Sequence, residues 1–203
     1  MKGFNRRNQL FSLCGLNCGL CPMFLNKNCP GCGAGEGNQS CKIARCSMEH
    51  DSVEYCFQCS EYPCEKYENI DNYDSFITHQ NQKSDLDVAR RLGIDVYNSI
   101  QKEKAKILDM LLSDYNDGRK KTFFCVAVNL LDLQGLHEIL AQIEDTPEVE
   151  TWKLKEKSRF IAELLQEEAE KNGISLKLRR KSDENGKEYL YEIYMYGYIG
   201  RGH

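Results

Sequence analysis

The 203-residue chain lacks a strong charge of either sign and lacks any apolar run long enough to span a bilayer. Its 27 lysine and arginine residues nearly balance 31 aspartate and glutamate residues, for a net charge of -4. This balance gives the chain as a whole no electrostatic preference for nucleic acid or for an anionic membrane. A transmembrane helix needs roughly 18 or more consecutive apolar residues, so we expect no membrane partner.

Familiar catalytic motifs are also missing. The sequence contains no phosphate-binding glycine loop, no nucleophile elbow and no H-E-x-x-H zinc motif. Three histidines stand apart from other candidate catalytic residues, and we expect His79 in a solvated loop, His137 on a helix surface and His203 at the free C-terminus. The sequence therefore favours a binding or interaction protein over an enzyme.

The N-terminal segment has no clear export signal. Residues 1–7 are basic, but no long apolar region follows them. Leu13 is bulky at the position where a lipoprotein site would have a small residue before Cys14. We expect a cytoplasmic protein, in which thiols stay reduced and clustered cysteines more often bind metal. A secreted disulfide scaffold is the alternative, and the odd total of eleven cysteines disfavours it.

Ten of the eleven cysteines lie within residues 14–64. A segment this short, with few bulky apolar residues, usually needs disulfides or a metal to stay folded. Thiolates are soft ligands that suit zinc, iron–sulfur clusters and copper(I). We predict ten metal ligands, namely Cys14, Cys18, Cys21, Cys29, Cys32, Cys41, Cys46, Cys56, Cys59 and Cys64.

Three C-x2-C pairs make the metal prediction specific, because a tight turn can direct two sulfurs at one ion. The pairs begin at Cys18, Cys29 and Cys56. A structural zinc site takes four ligands in a closed tetrahedron, so ten thiols fill two sites and leave two over. We therefore expect two zinc ions with a structural role.

The assignment of ligands to ions stays open. One plausible partition groups Cys29, Cys32, Cys41 and Cys46 on one ion, and Cys56, Cys59 and Cys64 with one of Cys14, Cys18 or Cys21 on the other. His50 could complete a site, but its acidic neighbours Glu49 and Asp51 favour a solvated surface position.

An iron–sulfur cluster is the main alternative to zinc. The spacing Cys14-x3-Cys18-x2-Cys21 matches the triad of radical-SAM enzymes, whose β/α barrel needs about 200 or more residues after it. Cys21-Pro22 is similar to the Cys-Pro that ends a ferredoxin motif. The sequence Cys-Pro-Gly-Cys-Gly at residues 29–33 and the wide spacings fit zinc better.

A change of composition near residue 69 predicts two parts. We expect a cysteine-rich module over residues 1–69, a linker or long loop over residues 70–85, and a small α/β domain over residues 86–203. The predicted fold class is α+β, with helices packed on a short, mostly antiparallel sheet.

Local patterns place the elements of the second part. Helical spacing predicts a helix over 95–115, Asp132 can cap a second helix, and a third helix should end at Asn172-Gly173. Residues 122–128 are short, apolar and β-prone, which favours a buried strand with a helix as the rival. Residues 174–181 and 187–196 are predicted to form a hairpin around 183–186.

Two basic clusters and one cysteine complete the candidate sites. Arg119, Lys120 and Lys121 could bind an anion, but a solvated turn explains them as well. Cys125 stands in an apolar run and is predicted to be a buried, unreactive thiol. A face for nucleic acid would combine the basic residues Lys177, Arg179, Arg180 and Lys181 with the tyrosines Tyr189, Tyr191, Tyr194, Tyr196 and Tyr198, but ordinary strand residues on a solvated edge are the favoured interpretation.

The cysteine order resembles a known family. Cys14-Gly15-Leu16-x-Cys18-x-x-Cys21-Pro22, Cys29-x-Gly31-Cys32, Cys41-x-Ile43-x-x-Cys46 and Cys56-x-x-Cys59-x-Glu61-Tyr62-Pro63-Cys64 look like the bacterial and archaeal domain of unknown function 3795. The resemblance covers about residues 10–70, and residues 116–125 also look like longer members. It implies a metal-binding cysteine domain and brings no established activity.

The function that follows is a metal-binding protein, with structural zinc, that binds a protein, nucleic acid or small ligand. An iron–sulfur redox or enzyme-accessory protein is the first alternative, and a nucleic-acid-binding zinc protein is the second.

Overall fold

The structure is a computed structural model that describes residues 2–35, 41–182 and 188–189. These residues are mainly helical. The α-helices are α1 (Pro22–Leu25), α2 (Lys42–Glu49), α3 (Gln82–Leu92), α4 (Ile94–Asp114), α5 (Lys121–Leu130), α6 (Leu133–Glu144) and α7 (Leu154–Lys171). Shorter 3₁₀ turns occupy Cys18–Leu20, Cys56–Gln58, Glu65–Tyr67 and Pro147–Thr151.

The predicted α+β fold is wrong. Within the described ranges, β structure is limited to the antiparallel pair β1 (Lys181–Ser182) and β2 (Glu188–Tyr189), in which Lys181 faces Tyr189. Two residues per strand are too few to support a layer of helices, and the helices pack on one another instead. The remainder of the predicted hairpin, at 183–187 and 190–196, lies outside the described residues.

The strand predicted over residues 122–128 is also wrong, because these residues lie in helix α5. Every residue from Phe124 to Asn129 is buried, since α5 is surrounded by α4, α7 and the α1 region. A helix that is covered on all sides has no polar stripe. Its sequence therefore cannot be distinguished by periodicity from that of a buried strand.

The other helix predictions are confirmed. Helix α4 covers almost all of the predicted span 95–115. The Asp132 carboxylate accepts a hydrogen bond of 2.8 Å from the Gly135 N–H and caps α6. Helix α7 ends at Asn172, followed by Gly173 with a φ of +66°. Helix α3 was not predicted, and it begins within the expected linker.

Helices α4 to α7 share one hydrophobic core. Its fully buried side chains include Phe124, Leu131, Leu136 and Ile161. The cysteine-rich segment enters this core through Leu20, which is 1% exposed.

A second cluster joins the cysteine-rich segment to α3 and α4. Phe11 is fully buried, and its ring centroid lies 4.6 Å from that of Tyr97 on α4. Tyr55 and Tyr67 pack in the same cluster with Leu86 on α3. Burial of an aromatic side chain such as Phe11 contributes about 2 kcal/mol. The segment is thus held against α3 and α4 by side-chain packing.

None of the helices in the described ranges combines the length and the apolar character that crossing a bilayer requires.

Candidate metal centre

Two of the three C-x2-C pairs adopt the same turn. The N–H of Cys21 donates to the Cys18 carbonyl, and the N–H of Cys59 donates to the Cys56 carbonyl, each at 3.0 Å. Both pairs form 3₁₀ turns, in which side chains three residues apart eclipse each other. Each turn therefore directs the two thiols of its pair to the same side.

The third pair is held by close packing of its glycines. Gly31 has a φ of +93°, and a side chain there would bring a Cβ within 2.7 Å of Gln9 Cβ. Gly33 has a φ of +83° and packs equally tightly on Arg6. Only glycine fits this combination of backbone angle and contact, so the loop that carries Cys29 and Cys32 is pressed against residues 6–9.

Arg6 organises the same region from within. Its guanidinium donates to the Glu54 carbonyl at 2.7 Å and 3.0 Å, and to the Phe11 carbonyl at 3.0 Å. Burial raises the pKa of the nearby Cys32 thiol, and the positive charge of Arg6 opposes that rise. The guanidinium thus places a fixed charge beside a predicted ligand.

The first thiol group consists of Cys14, Cys18, Cys21, Cys29 and Cys32. Burial raises the pKa of Cys18 well above its ordinary value, and the neighbouring thiols of the other four raise it further. Burial, followed by Cys32, likewise raises the pKa of Cys14 to about 12. Thiols of this kind stay protonated until a cation compensates both the burial and the mutual repulsion.

The second thiol group lines a cavity of about 30 Å³, which we call the thiol cavity. Its cysteines are Cys46, Cys56, Cys59 and Cys64. Helix α2 carries Cys46, and the segment 56–64 carries the other three. Burial raises the pKa of Cys56 to about 12, and Cys64 and Cys46 contribute to the rise.

Three further side chains border the thiol cavity. His50 Nδ1 lies 3.8 Å from Cys59 Sγ and 4.0 Å from Glu61 Oε1. Lys66 lies at the cavity, and the Cys46 thiolate raises the pKa of its ammonium group. Tyr67 is 4% exposed, and its hydroxyl is buried without a hydrogen-bond partner of normal geometry.

Two cysteines belong to neither group, although both lie near group members: Cys41 lies between the two groups, and Cys125 lies near Cys21. The Cys41 thiol accepts a hydrogen bond of 3.4 Å from the Ala44 N–H and caps α2, close to Cys14 and Cys56. Cys125 is 3% exposed on α5, and burial raises its pKa to about 12. This confirms that Cys125 is buried, and its low reactivity stays a prediction.

The observed grouping differs from the partition suggested by the sequence. Cys46 faces Cys56 and its neighbours rather than Cys29 and Cys32. In the described part of the chain, no three His, Cys, Asp or Glu side chains converge closely enough to hold a single metal ion. The structure therefore assembles the thiols in two regions without arranging either as a tetrahedral site.

One histidine prediction is wrong, and another holds only in part. His50 lies at the surface with 32% of its side chain exposed, as expected, but it also borders the thiol cavity, because the chain reverses at Asp51 and Ser52 with φ of +54° and +51°. His79 is partly buried, with Nε2 3.0 Å from the Ser75 hydroxyl and Nδ1 3.2 Å from the Ile70 carbonyl oxygen. The residues next to His50 and His79 in the sequence do not indicate these surroundings.

His137 follows its prediction. It is half exposed on α6, where Nε2 lies 2.8 Å from Glu103 Oε1. His203 lies outside the described residues.

The basic clusters are partly occupied by internal contacts. Lys121 donates to the Asn26 side chain, and the Lys120 ammonium lies 5.4 Å from the centre of the Phe123 ring. Arg179 pairs with the carboxylate of Asp74 at 2.9 Å. Of the tyrosines proposed for a nucleic-acid face, Tyr191, Tyr194, Tyr196 and Tyr198 lie outside the described residues.

A buried polar network beneath the cysteine-rich segment was missed by the sequence analysis. Asn17 donates to Asp85 at 2.7 Å and to the Asn129 side chain at 3.0 Å, and it accepts from the Tyr97 hydroxyl at 2.9 Å. The Lys104 ammonium donates to the Asn129 carbonyl at 3.1 Å. The one hint in the sequence is Asn129 itself, a polar residue in the apolar run of α5.

Residues 10–69 match the model of the family described as "Protein of unknown function (DUF3795)", and we call them the DUF3795 segment. This confirms the resemblance noted from the sequence. No curated protein and no solved structure matches the chain. The DUF3795 segment ends before α3, so it contains all ten clustered cysteines and neither α3 nor α4.

Proposed function

We propose that the DUF3795 segment binds metal through its cysteine thiolates, at one centre in the first thiol group and another in the thiol cavity. The observation that carries this proposal is the gathering of cysteines around two C-x2-C pairs in 3₁₀ turns, in adjoining neighbourhoods that meet at Cys14, Cys41 and Cys56. Each neighbourhood offers at least four soft ligands, which is the number that a closed structural site needs.

The electrostatics support the same proposal. Cys14 and Cys56 have pKa values raised to about 12, with burial as the first cause and neighbouring thiols among the others. Without a cation, thiols that are buried and grouped in this way stay protonated and are therefore poor nucleophiles. A bound divalent metal lowers the pKa of these thiols, because its positive charge stabilises the thiolates and offsets their mutual repulsion.

The proposed role of the metal is structural, with zinc as the expected ion for the first thiol group. The glycine-dependent loop around Cys29 and Cys32 supports zinc, because a tight knuckle can direct two sulfurs at a single ion. With the segment stabilised, the protein would act as a binding module for another protein or a ligand, in the cytoplasm.

Metal content tests the proposal directly. We would purify the full chain without oxygen and without a metal-affinity step, and measure bound metals by mass spectrometry. The expected result is two tightly bound metal centres per chain, of which Cys18→Ser loses one and Cys59→Ser the other. Cys125→Ser is the matched control, because Cys125 lies outside the DUF3795 segment, and it should keep the metal. A metal-free, fully folded chain would refute the proposal.

A further inference from the structure

We propose that His50 is a ligand of the metal ion in the thiol cavity and that Cys64 is not, an inference that rests on metal binding by the DUF3795 segment. Three observations support it: the position of His50 on α2, its distance from one thiol, and the surroundings of Cys64. The cavity measures about 30 Å³, which leaves room for one guest of the size of a water molecule or a single ion.

The first observation is that His50 lies one helical turn after Cys46. The His50 N–H donates to the Ser47 carbonyl at 3.1 Å, so the last turn of α2 continues to this residue. Side chains four residues apart lie on the same face of a helix, and Cys46 and His50 both line the thiol cavity. Together with Cys56 and Cys59 on their 3₁₀ turn, they offer three sulfurs and one nitrogen, a ligand set that structural zinc sites use.

The second observation is the distance between His50 and Cys59. His50 Nδ1 lies 3.8 Å from Cys59 Sγ. A tetrahedral zinc ion, with bonds of about 2.0–2.1 Å to nitrogen and about 2.3 Å to sulfur, holds two such ligand atoms about 3.6 Å apart. These two side chains therefore already have the separation that one shared ion requires. In the part of the chain that the structure describes, no third ligand converges with them, so Cys46 and Cys56, which line the same cavity, must close on the ion.

The charges around the cavity suit a site with three thiolates. Three thiolates and a divalent ion carry one net negative charge, and the ammonium group of Lys66 at the cavity can offset it. A fourth thiolate would add a second negative charge near the carboxylate of Glu61, whose Oε1 lies 4.0 Å from His50 Nδ1. A neutral imidazole as the fourth ligand avoids that repulsion.

The third observation concerns Cys64, which borders two spaces. It lines the thiol cavity, and it also lines a groove of about 600 Å³ to which Lys83 and Arg90 of α3 contribute. Cys64 lies near Cys56 and is the thiol that competes with His50 for the fourth position. Its place at the boundary with the groove makes it the thiol that the ion leaves out.

The test compares His50→Ala with Cys64→Ser in the full chain, purified without oxygen and without a metal-affinity step. Titration with a chelator, followed by mass spectrometry, measures how tightly each ion is held. We expect Cys64→Ser to keep both ions. We expect His50→Ala to hold the cavity ion more than about 100-fold less tightly, because loss of a residue that only supports a ligand costs about 10–100-fold. His137→Ala is the matched control, since His137 lies half exposed on α6, and it should equal the parent chain.

His50→Cys tests the ligation even where Cys64 takes the place of the missing nitrogen in His50→Ala. With cobalt(II) as the bound ion, each thiolate ligand contributes to the sulfur-to-cobalt charge-transfer absorption. The variant should show a stronger band than the parent chain, because a fourth thiolate then replaces the imidazole. An unchanged band would overturn the coordination by His50.

The failures are distinguishable. Loss of the cavity ion in Cys64→Ser, with tight binding in His50→Ala, would indicate a four-thiol site, which overturns the inference and leaves metal binding intact. Loss of the ion in both variants would also overturn the inference, because Cys64 would then be required. A parent chain that binds no metal at all would overturn the proposed function itself.

Discussion

The carboxylate of Asp74 holds both the backbone and the side chain of Arg179, a residue 105 positions later in the chain. Asp74 Oδ2 accepts the Arg179 N–H at 2.6 Å, and Oδ1 accepts the guanidinium at 2.9 Å. The His79 N–H also donates to Oδ1, at 2.7 Å. The Asp74 carboxylate is fully buried, whereas the Arg179 side chain is 40% exposed. The segment after the cysteines is therefore fastened to the chain beyond α7.

We predict that Asp74→Asn destabilises the protein. The amide weakens the charge-assisted hydrogen bonds to Arg179, which costs about 1.5 kcal/mol because the Arg179 side chain is 40% exposed and partly screened by water. Urea unfolding at pH 7 measures the change. Arg159→Met is the control, because Arg159 pairs with Glu163 on the exposed face of α7 and should cost less than about 0.5 kcal/mol. Equal effects of both variants would contradict this account.

The same pair predicts a loss of stability in acid. Burial raises the pKa of Asp74, but the hydrogen bonds from Arg179 and His79 outweigh burial and leave it below its ordinary value of 3.8. A carboxyl with a lowered folded pKa contributes stability above 3.8 that disappears as the pH falls through the folded pKa. Acid titration followed by circular dichroism should therefore show a shallower loss below pH 3.8 in Asp74→Asn than in the parent chain.

The contribution of Asp85 to stability depends on pH in the opposite direction from that of Asp74. Burial raises its pKa to about 7, although Lys104 and hydrogen bonds from Asn17, Tyr97 and Asn81 act against the rise. Because the folded state holds the proton more tightly, the free energy of unfolding decreases as the pH rises from about 4 to about 7. The upper limit of this decrease is about 4 kcal/mol.

We predict that Asp85→Asn removes this slope and leaves the protein at least as stable at pH 8. The amide oxygen can still accept from Asn17 and Asn81, each of which donates to Asp85 Oδ2 at 2.7 Å. Urea unfolding across pH 4 to 8 measures the slope. Asp87→Asn, at an exposed position on the same helix, should keep it. A parent-like slope in Asp85→Asn would show that another group titrates in this range.

Gly15 fixes the distance between the cysteine-rich segment and α3. Its φ is +99°, and a Cβ there would lie 2.3 Å from the Gln82 carbonyl oxygen and 2.7 Å from Leu86 Cγ. Gly15→Ala should cost about 2–4 kcal/mol, the sum of backbone strain and overpacking. Gly118→Ala isolates the strain, because Gly118 has a φ of +90° and no described atom within 4 Å of such a Cβ. Thermal unfolding of the two variants should differ clearly, and similar midpoints would refute the close docking.

The features that were predictable from sequence are local ones. The cap at Asp132 and the stop at Gly173 need only the residues beside them, and both follow their patterns. Helix α5 was misread because its burial on every side depends on neighbours from distant parts of the chain. The same reason explains His50 and Asn17. Their surroundings are created by chain reversal and by contacts across as many as 112 residues, which no local pattern encodes.

Metal removal should destabilise the DUF3795 segment and leave the stability of helices α4 to α7 largely unchanged. Helices α4 to α7 share a core that draws little from the DUF3795 segment beyond Leu20 and Leu25. The segment around the thiol cavity relies on two smaller clusters, one around Leu13 and Ile43 and one around Tyr55 and Tyr67, each of which is too small to fold alone. On chelation, hydrogen exchange should accelerate over residues 41–67, while α4 to α7 keep their protection. Exchange that accelerates equally in all helices would mean that the metal holds the whole chain as one cooperative unit, and the two-part organisation would then be wrong.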